Sequence, residues 1–311
     1  FSDAELTKLD AAVRSNPLLR IAAGPPWNAA RQNLYQYFLS LGDVEAEQVF
    51  LARHPLNVAP VVDDQPFYFR FSYWSHLFPR DPQLWALVPS MEYSVILLLL
   101  AIGVTAIVCV WLPLRRAESA KPIVSRFAIY FAALGLGYMA VEMALLQQFG
   151  LFLGHPSYAL SVVLAGLLFA TGLGALSAER IVARLGGVRF VAYLFACVVF
   201  VELFVLFPRL PSLMASSFGA RCIITLALIA PVGVCLGVFL PSGLERLKES
   251  SPHLVPWAWG VNGIFSVLGP VFAIAFSITF GMSALLVIAV PIYLVAGWLF
   301  PRRYTSTNAA A

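Results

Sequence analysis

From Tyr93 onward, apolar residues run in long stretches broken only by short polar clusters. About 20 apolar residues wound as a helix match the hydrocarbon thickness of a bilayer. Seven stretches approach or exceed that length: Tyr93–Pro113, Phe127–Leu153, Ser157–Ser177, Val188–Phe207, Phe218–Leu240, Ala258–Phe280 and Met282–Phe300. The pattern predicts a mainly α fold, a polytopic transmembrane helix bundle of about seven spans over residues 91–304. Gly281 allows a tight reversal between the last two spans.

The first ninety residues follow another pattern. Ser2 followed by Glu5 is a capping box that predicts a helix to about Ser15. Leu18–Ala23 reads as a short strand, stopped by Gly24-Pro25-Pro26. Helices are expected over Ala29–Leu41 and Val44–Arg53, then extended chain and a turn at Asp63-Asp64-Gln65-Pro66. One short strand cannot form a sheet with a core. Residues 1–90 therefore read as an extramembrane head, the C-terminal remnant of a larger α/β domain, and 305–311 as a frayed tail. No GxGxxG or GxxxxGK[ST] loop is present to hold a nucleotide.

Composition agrees with lipid as part of the solvent. Of 311 residues, 60% are hydrophobic and only 12% charged, with mean hydropathy +0.83. A soluble domain carries about 25% charge. Cys109, Cys197, Cys222 and Cys235 lie inside apolar runs without CxxC spacing, which argues against a disulfide framework or a zinc site. The basic residues are few and juxtamembrane, which excludes a nucleic-acid footprint.

The placement of charge predicts orientation. Arg115, Arg116, Lys121 and Arg126 follow the first span; Arg180, Arg184 and Arg189 follow the third; Arg246 and Lys248 follow the fifth; Arg302 and Arg303 follow the seventh. The alternate connections hold Arg209 alone. The positive-inside rule puts the C-terminus in the cytoplasm and, with seven crossings, the head on the opposite face.

Gly233 and Gly237 form GxxxG, and Gly166, Ala170 and Gly174 repeat the spacing, as expected of helices that approach closely. Pro231, Pro270 and Pro291 interrupt three spans, either as shaping kinks or as ligand-lined breaks.

Polar residues inside the apolar runs are the candidate chemistry. Glu142 is expected to point inward and hydrogen-bond a neighbouring span, with Gln147 and Gln148 just over a turn on and Asn262 in the sixth span also needing a partner. These residues are either structural glue or a substrate or proton site. Glu202 and Arg221 are expected near the outer ends of consecutive spans, where they could form an ion pair. His155, in the shortest outer loop, is a capping or interface group before it is a ligand, and Trp257 and Trp259 read as interfacial anchors. Asp63 and Asp64 are a turn or a metal or catalytic pair.

Asp63-Asp64-Gln65-Pro66-Phe67-Tyr68-Phe69 resembles a motif of the bacterial membrane-bound spermidine-synthase-like proteins. Ala133–Glu142, continuing through Gln147-Gln148-Phe149 to Ala159, is similar to their second block, and Val255–Gly263 to a third. The resemblance implies an inner-membrane protein with a Rossmann-like, S-adenosylmethionine-type transferase domain ahead of the bundle. S-adenosylmethionine or a derivative would then bind upstream of Phe1, and no catalytic residue carries over to this chain. Gln65 and Gln148 depart from the family pattern, which has a basic residue at each position.

Three functions are expected in competition. The chain is the membrane anchor of a transferase-like enzyme, a structural or assembly subunit of a larger membrane complex, or a transporter-like bundle with Glu142 and Asn262 at its site. Its partners are the bilayer and, in the first two cases, other subunits or a second copy.

Overall fold

The computed structural model describes residues 41–68 except 55, 91–106 and 121–300, together with Glu5, Thr7, Lys8, Ala11, Ser15, Tyr37, Phe38, Arg70, Trp74 and Val108. The chain divides into two compact units, Phe1–Pro60 with Arg70–Pro79, and Val61–Phe69 with Arg80–Ala311. Residues Val61–Phe69, next to the first unit in sequence, thus group with the bundle.

In the first unit, helix α1 spans Val44–Arg53, as the sequence predicts. Asp43 caps it, its side chain accepting the Glu45 amide, and Glu45 and Glu47 suit the positive end of the dipole. Phe50 packs against the rings of Tyr37 and Phe38, at centroid distances of 5.7 and 5.4 Å. The expected strand Leu18–Ala23 lies outside the described residues, and among those described there is no strand, only an isolated bridge between Val62 and Gln65.

The second unit is a helix bundle. Its elements are α2 (Met91–Ala106), α3 (Lys121–Leu153), α4 (Pro156–Leu176), α5 (Ala178–Leu185), α6 (Val188–Val201), α7 (Leu210–Leu213), α8 (Phe218–Ser250), α9 (Val255–Phe280) and α10 (Ser283–Leu299). Between α6 and α7 the chain passes through a π-helical turn, Glu202–Leu206, and a 3-10 turn, Phe207–Arg209. The sequence predicts a loop from 207 to 217, but helical structure continues to Leu213.

Among the described residues, five helical segments are long and apolar enough to cross a membrane: Ser125–Leu153, Pro156–Leu176, Val188–Leu213, Phe218–Ser250 and Pro252–Phe280. The other two expected spans are shorter apolar helices, Tyr93–Thr105 and Ser283–Leu299. At 1.5 Å per residue, α10 reaches about 25 Å, just under a hydrocarbon core. Large apolar side chains stand out from the bundle, among them Phe169 (70% exposed) on α4 and Ile223 (70%) on α8. Water would penalise that surface, and lipid does not.

Helix α3 is the hub, packing against α4, α8, α9 and α10. It is buried at Tyr130, Phe131, Val141, Leu145 and Phe149. The tightest crossing joins α4 to α8, through the small residues that the spacing singles out. A Cβ on Gly237 would overlap the Thr171 carbonyl, one on Gly174 the Val234 carbonyl, and one on Gly233 would come within 2.6 Å of Ala170 Cβ. Helix α9 approaches α3 the same way, with Gly135 against the backbone of Asn262 and Ser266.

Pro231 and Pro241 lie inside α8, Pro270 inside α9 and Pro291 inside α10. The helix that carries the expected span Phe218–Leu240 is longer than the span, and α8 continues through Pro241 to Ser250. Tyr130 supports that stretch from α3, its hydroxyl donating to the Phe239 carbonyl at 2.6 Å.

Basic residues gather at one end of the bundle. Arg126, Arg180, Arg184, Arg189, Arg246 and Lys248 lie there, against Arg209 and Arg221 at the end where α3 and α9 finish and α4, α8 and α10 begin.

Candidate functional site

The basic-poor end of the bundle carries the site. Helix α10 begins there without a capping side chain of its own, because Met282 occupies the N-cap position. The Val62–Gln65 turn supplies what is missing. The Met282 amide donates to the Asp64 carbonyl at 2.8 Å, and the Ser283 amide donates to Asp64 Oδ1 at 2.7 Å. Asp64 is thus a cap delivered from a loop 219 residues earlier in the chain. Its negative charge sits at the positive end of the α10 dipole. Gly281, at φ +90°, makes room, since any Cβ there would collide with the Asp64 carboxylate.

Two further bonds hold the turn. Gln65 Nε2 donates to the Thr279 carbonyl at 3.4 Å, and Gln147 Nε2 on α3 donates to the Asp63 carbonyl at 3.2 Å. The Gln65 amide is a direct link from the turn to the end of α9.

Beneath the turn lies a cavity of about 330 Å³. Asp63, Asp64, Gln147 and Gln148 form its polar wall, and Ala144, Leu203, Phe207 and Leu286 are among its apolar lining. Asp63 is exposed, and neither its carboxylate nor the Gln148 amide hydrogen-bonds to any described residue. Among the described residues no group of three His, Cys, Asp or Glu side chains could hold a metal. The arrangement can receive a hydrogen-bond donor or a cation, and has no nucleophile–base pair.

The remaining predicted residues are not gathered here. Asn262 acts between helices, its Nδ2 donating to the Phe131 carbonyl at 3.2 Å. Glu142 does not make the interhelical hydrogen bond expected of it. It is half-buried and unbonded among the described residues, one turn beyond Met139, which packs on Gly269 of α9. The neighbouring stripe of Gly135 and Met139 packs directly on α9, against Asn262, Ser266 and Gly269.

The expected Glu202–Arg221 ion pair does not form. Glu202 is 2% exposed with neither carboxyl oxygen bonded, while Arg221 Nη1 donates to the Phe152 carbonyl at 3.0 Å. Aromatic rings pack near both residues in the chain. Phe207, five residues after Glu202, stacks edge-on to Phe149, and Phe149 to Phe152, at centroid distances of 5.9 and 6.4 Å. Arg221 instead serves the C-terminal end of α3, where the last carbonyls lack intrahelical donors and the dipole is negative. His155 caps α4, its Nδ1 accepting the Ser157 amide at 3.2 Å.

Sequence reasoning missed the amides of Met282 and Ser283. Their signal was a helix start without Ser, Thr, Asp or Asn at its cap. Comparison with protein-family models, with curated proteins and with solved structures finds no match to this chain.

Proposed function

We propose that the chain is a multi-pass anchor and scaffold in a bacterial inner membrane, whose bundle clamps the end of an extramembrane segment to the outer bilayer surface. The observation that carries this is the Asp64 cap on α10, a bond between the turn after residues 1–60 and a membrane helix. Its position at the basic-poor end supports an extracytoplasmic face for the turn and a cytoplasmic one for the C-terminus. Seven crossings follow if α2 and α10 span beside the five longer segments.

In this proposal the head is the end of a Rossmann-like domain, as the likeness of Asp63–Phe69 to the spermidine-synthase-like motif implies. Transferase chemistry with S-adenosylmethionine would belong to that domain. The cavity lacks a glycine-rich turn through which backbone could approach a nucleotide, so the described residues do not fit that cofactor.

A transporter role is less well supported. The cavity lining includes Ala144 and Gln147 but neither Glu142 nor Asn262, and Asn262 is committed to Phe131.

The test is a crosslink. Cysteines at positions 65 and 279, which leave the Asp64 cap in place, in a full-length chain stripped of its own cysteines, should form a disulfide under mild oxidation in native membranes. Free thiols at both positions would remove the basis for the clamp.

A further inference from the structure

The cavity under the Asp63–Asp64 turn has a neighbour. A groove of about 580 Å³ opens along α6, α9 and α10, lined by apolar residues including Val199, Phe200, Phe204, Phe280, Val287 and Ile288. Leu203 lines both the groove and the cavity, and on α10 the lining passes from Leu286 in the cavity to Val287 in the groove. The two spaces adjoin at Leu203, one with a polar wall at the bundle end and the other hydrocarbon-like and deeper in the bundle.

We propose that a membrane phospholipid with an ethanolamine-type head occupies the two spaces, one acyl chain in the α6–α10 groove and its ammonium beneath the Asp63–Asp64 turn. The proposal rests on the seat of that turn, described above.

Charge complementarity selects the head. Two carboxylates and two amides line the cavity, with no Lys, Arg or His among the lining residues. Asp64 is spent on the Ser283 amide, which leaves the unbonded carboxylate of Asp63 for a cation. A head with net negative charge would face the two carboxylates with no cation beside it, and the amides of Met282 and Ser283 are already taken. A primary ammonium donates hydrogen bonds to a carboxylate, whereas a quaternary one cannot. The Gln148 amide, also unbonded, can donate to the phosphate. The groove offers an acyl chain an apolar surface in place of neighbouring lipid tails, so the chain fits it by packing while the head sets the preference.

The experiment uses the full chain, purified and stripped of lipid, then reconstituted with equal amounts of ethanolamine, choline and glycerol phospholipids of identical acyl chains. Native mass spectrometry reads which lipid stays bound. At least fivefold preference for the ethanolamine lipid is expected. The preference should disappear in Asp63→Asn, and bound lipid should fall in Leu203→Trp, which fills the junction. Soluble phosphoethanolamine should not compete, because it lacks the chain. Equal retention of all three lipids, an unchanged preference in Asp63→Asn, or full competition by phosphoethanolamine would each overturn the proposal. Asp63→Asn leaves the α10 cap in place, so it keeps the test valid if Leu203→Trp fails to fold. The 65–279 crosslink, measured in native membranes with Asp63 and Asp64 intact, separates the two ideas. A crosslink without lipid preference defeats the lipid site alone, and absence of the crosslink defeats the clamp beneath it.

Discussion

Asp64 Oδ1 accepts the backbone amide of Ser283 at 2.7 Å, and Asp64 thereby caps a membrane helix from outside the bundle's own sequence. Replacing a capping Asp by Ala typically costs about 1 kcal/mol. Asp64→Ala should lower the melting temperature in detergent and speed proteolysis within residues 61–65, while Asp64→Asn, which keeps the acceptor, should do much less. Equal behaviour of the two variants would show that the contact contributes nothing.

The α4–α8 crossing leaves no room for a side chain at Gly237, where even a Cβ overlaps the Thr171 carbonyl. Gly237→Val should force the helices apart, at a cost of about 1–3 kcal/mol by the usual penalty for overpacking. Gly172, where a Cβ would meet only open space, is the control: Gly172→Ala should be neutral or slightly stabilising. Thermal unfolding of the two variants side by side checks both.

Glu202 and Arg221 act independently in this structure. Removing a buried carboxyl that has no partner, in favour of an apolar group of similar shape, is neutral or stabilising, so Glu202→Met should raise stability by about 1–3 kcal/mol. Arg221→Met loses a charged donor to the Phe152 carbonyl and should lower it by about 1.5–3 kcal/mol. The double variant should equal the sum within about 0.5 kcal/mol. A larger coupling in a double-mutant cycle would restore the ion pair.

Asn262 joins α9 to α3 through the Phe131 carbonyl. Interhelical side-chain bonds in membranes average about 0.6 kcal/mol, so Asn262→Leu should cost little more than that. A transport site at Asn262 would instead be revealed by loss of function with stability intact.

The bundle was legible because its signal is one-dimensional. Apolar length, GxxxG spacing and the placement of arginines each survive without knowing which helix meets which. Gly233, Gly237 and Gly174 therefore mark a real crossing, and Val44–Arg53 is a helix with the predicted ends. The polar contacts were less legible, because they depend on three-dimensional neighbours. Arg221 could be assigned to Glu202 by depth alone, but the Phe152 carbonyl at the end of α3 is the acceptor it finds. Asp64 meets Ser283 across most of the chain, and only the uncapped start of α10 hinted at it. The apolar run marks the span only to Leu240, and α8 continues past it, through Pro241, to Ser250.

The orientation of the bundle is open to direct measurement. Single cysteines at Ser216, beside the start of α8, and at Ser250, at its end, are placed in a cysteine-free full-length chain and treated with a membrane-impermeant thiol reagent in sealed right-side-out vesicles. Ser216→Cys should label at once, and Ser250→Cys only after the vesicles are permeabilised. Immediate labelling of both positions, or of Ser250→Cys alone, would contradict a bundle that spans the bilayer with its Asp63–Asp64 end outside.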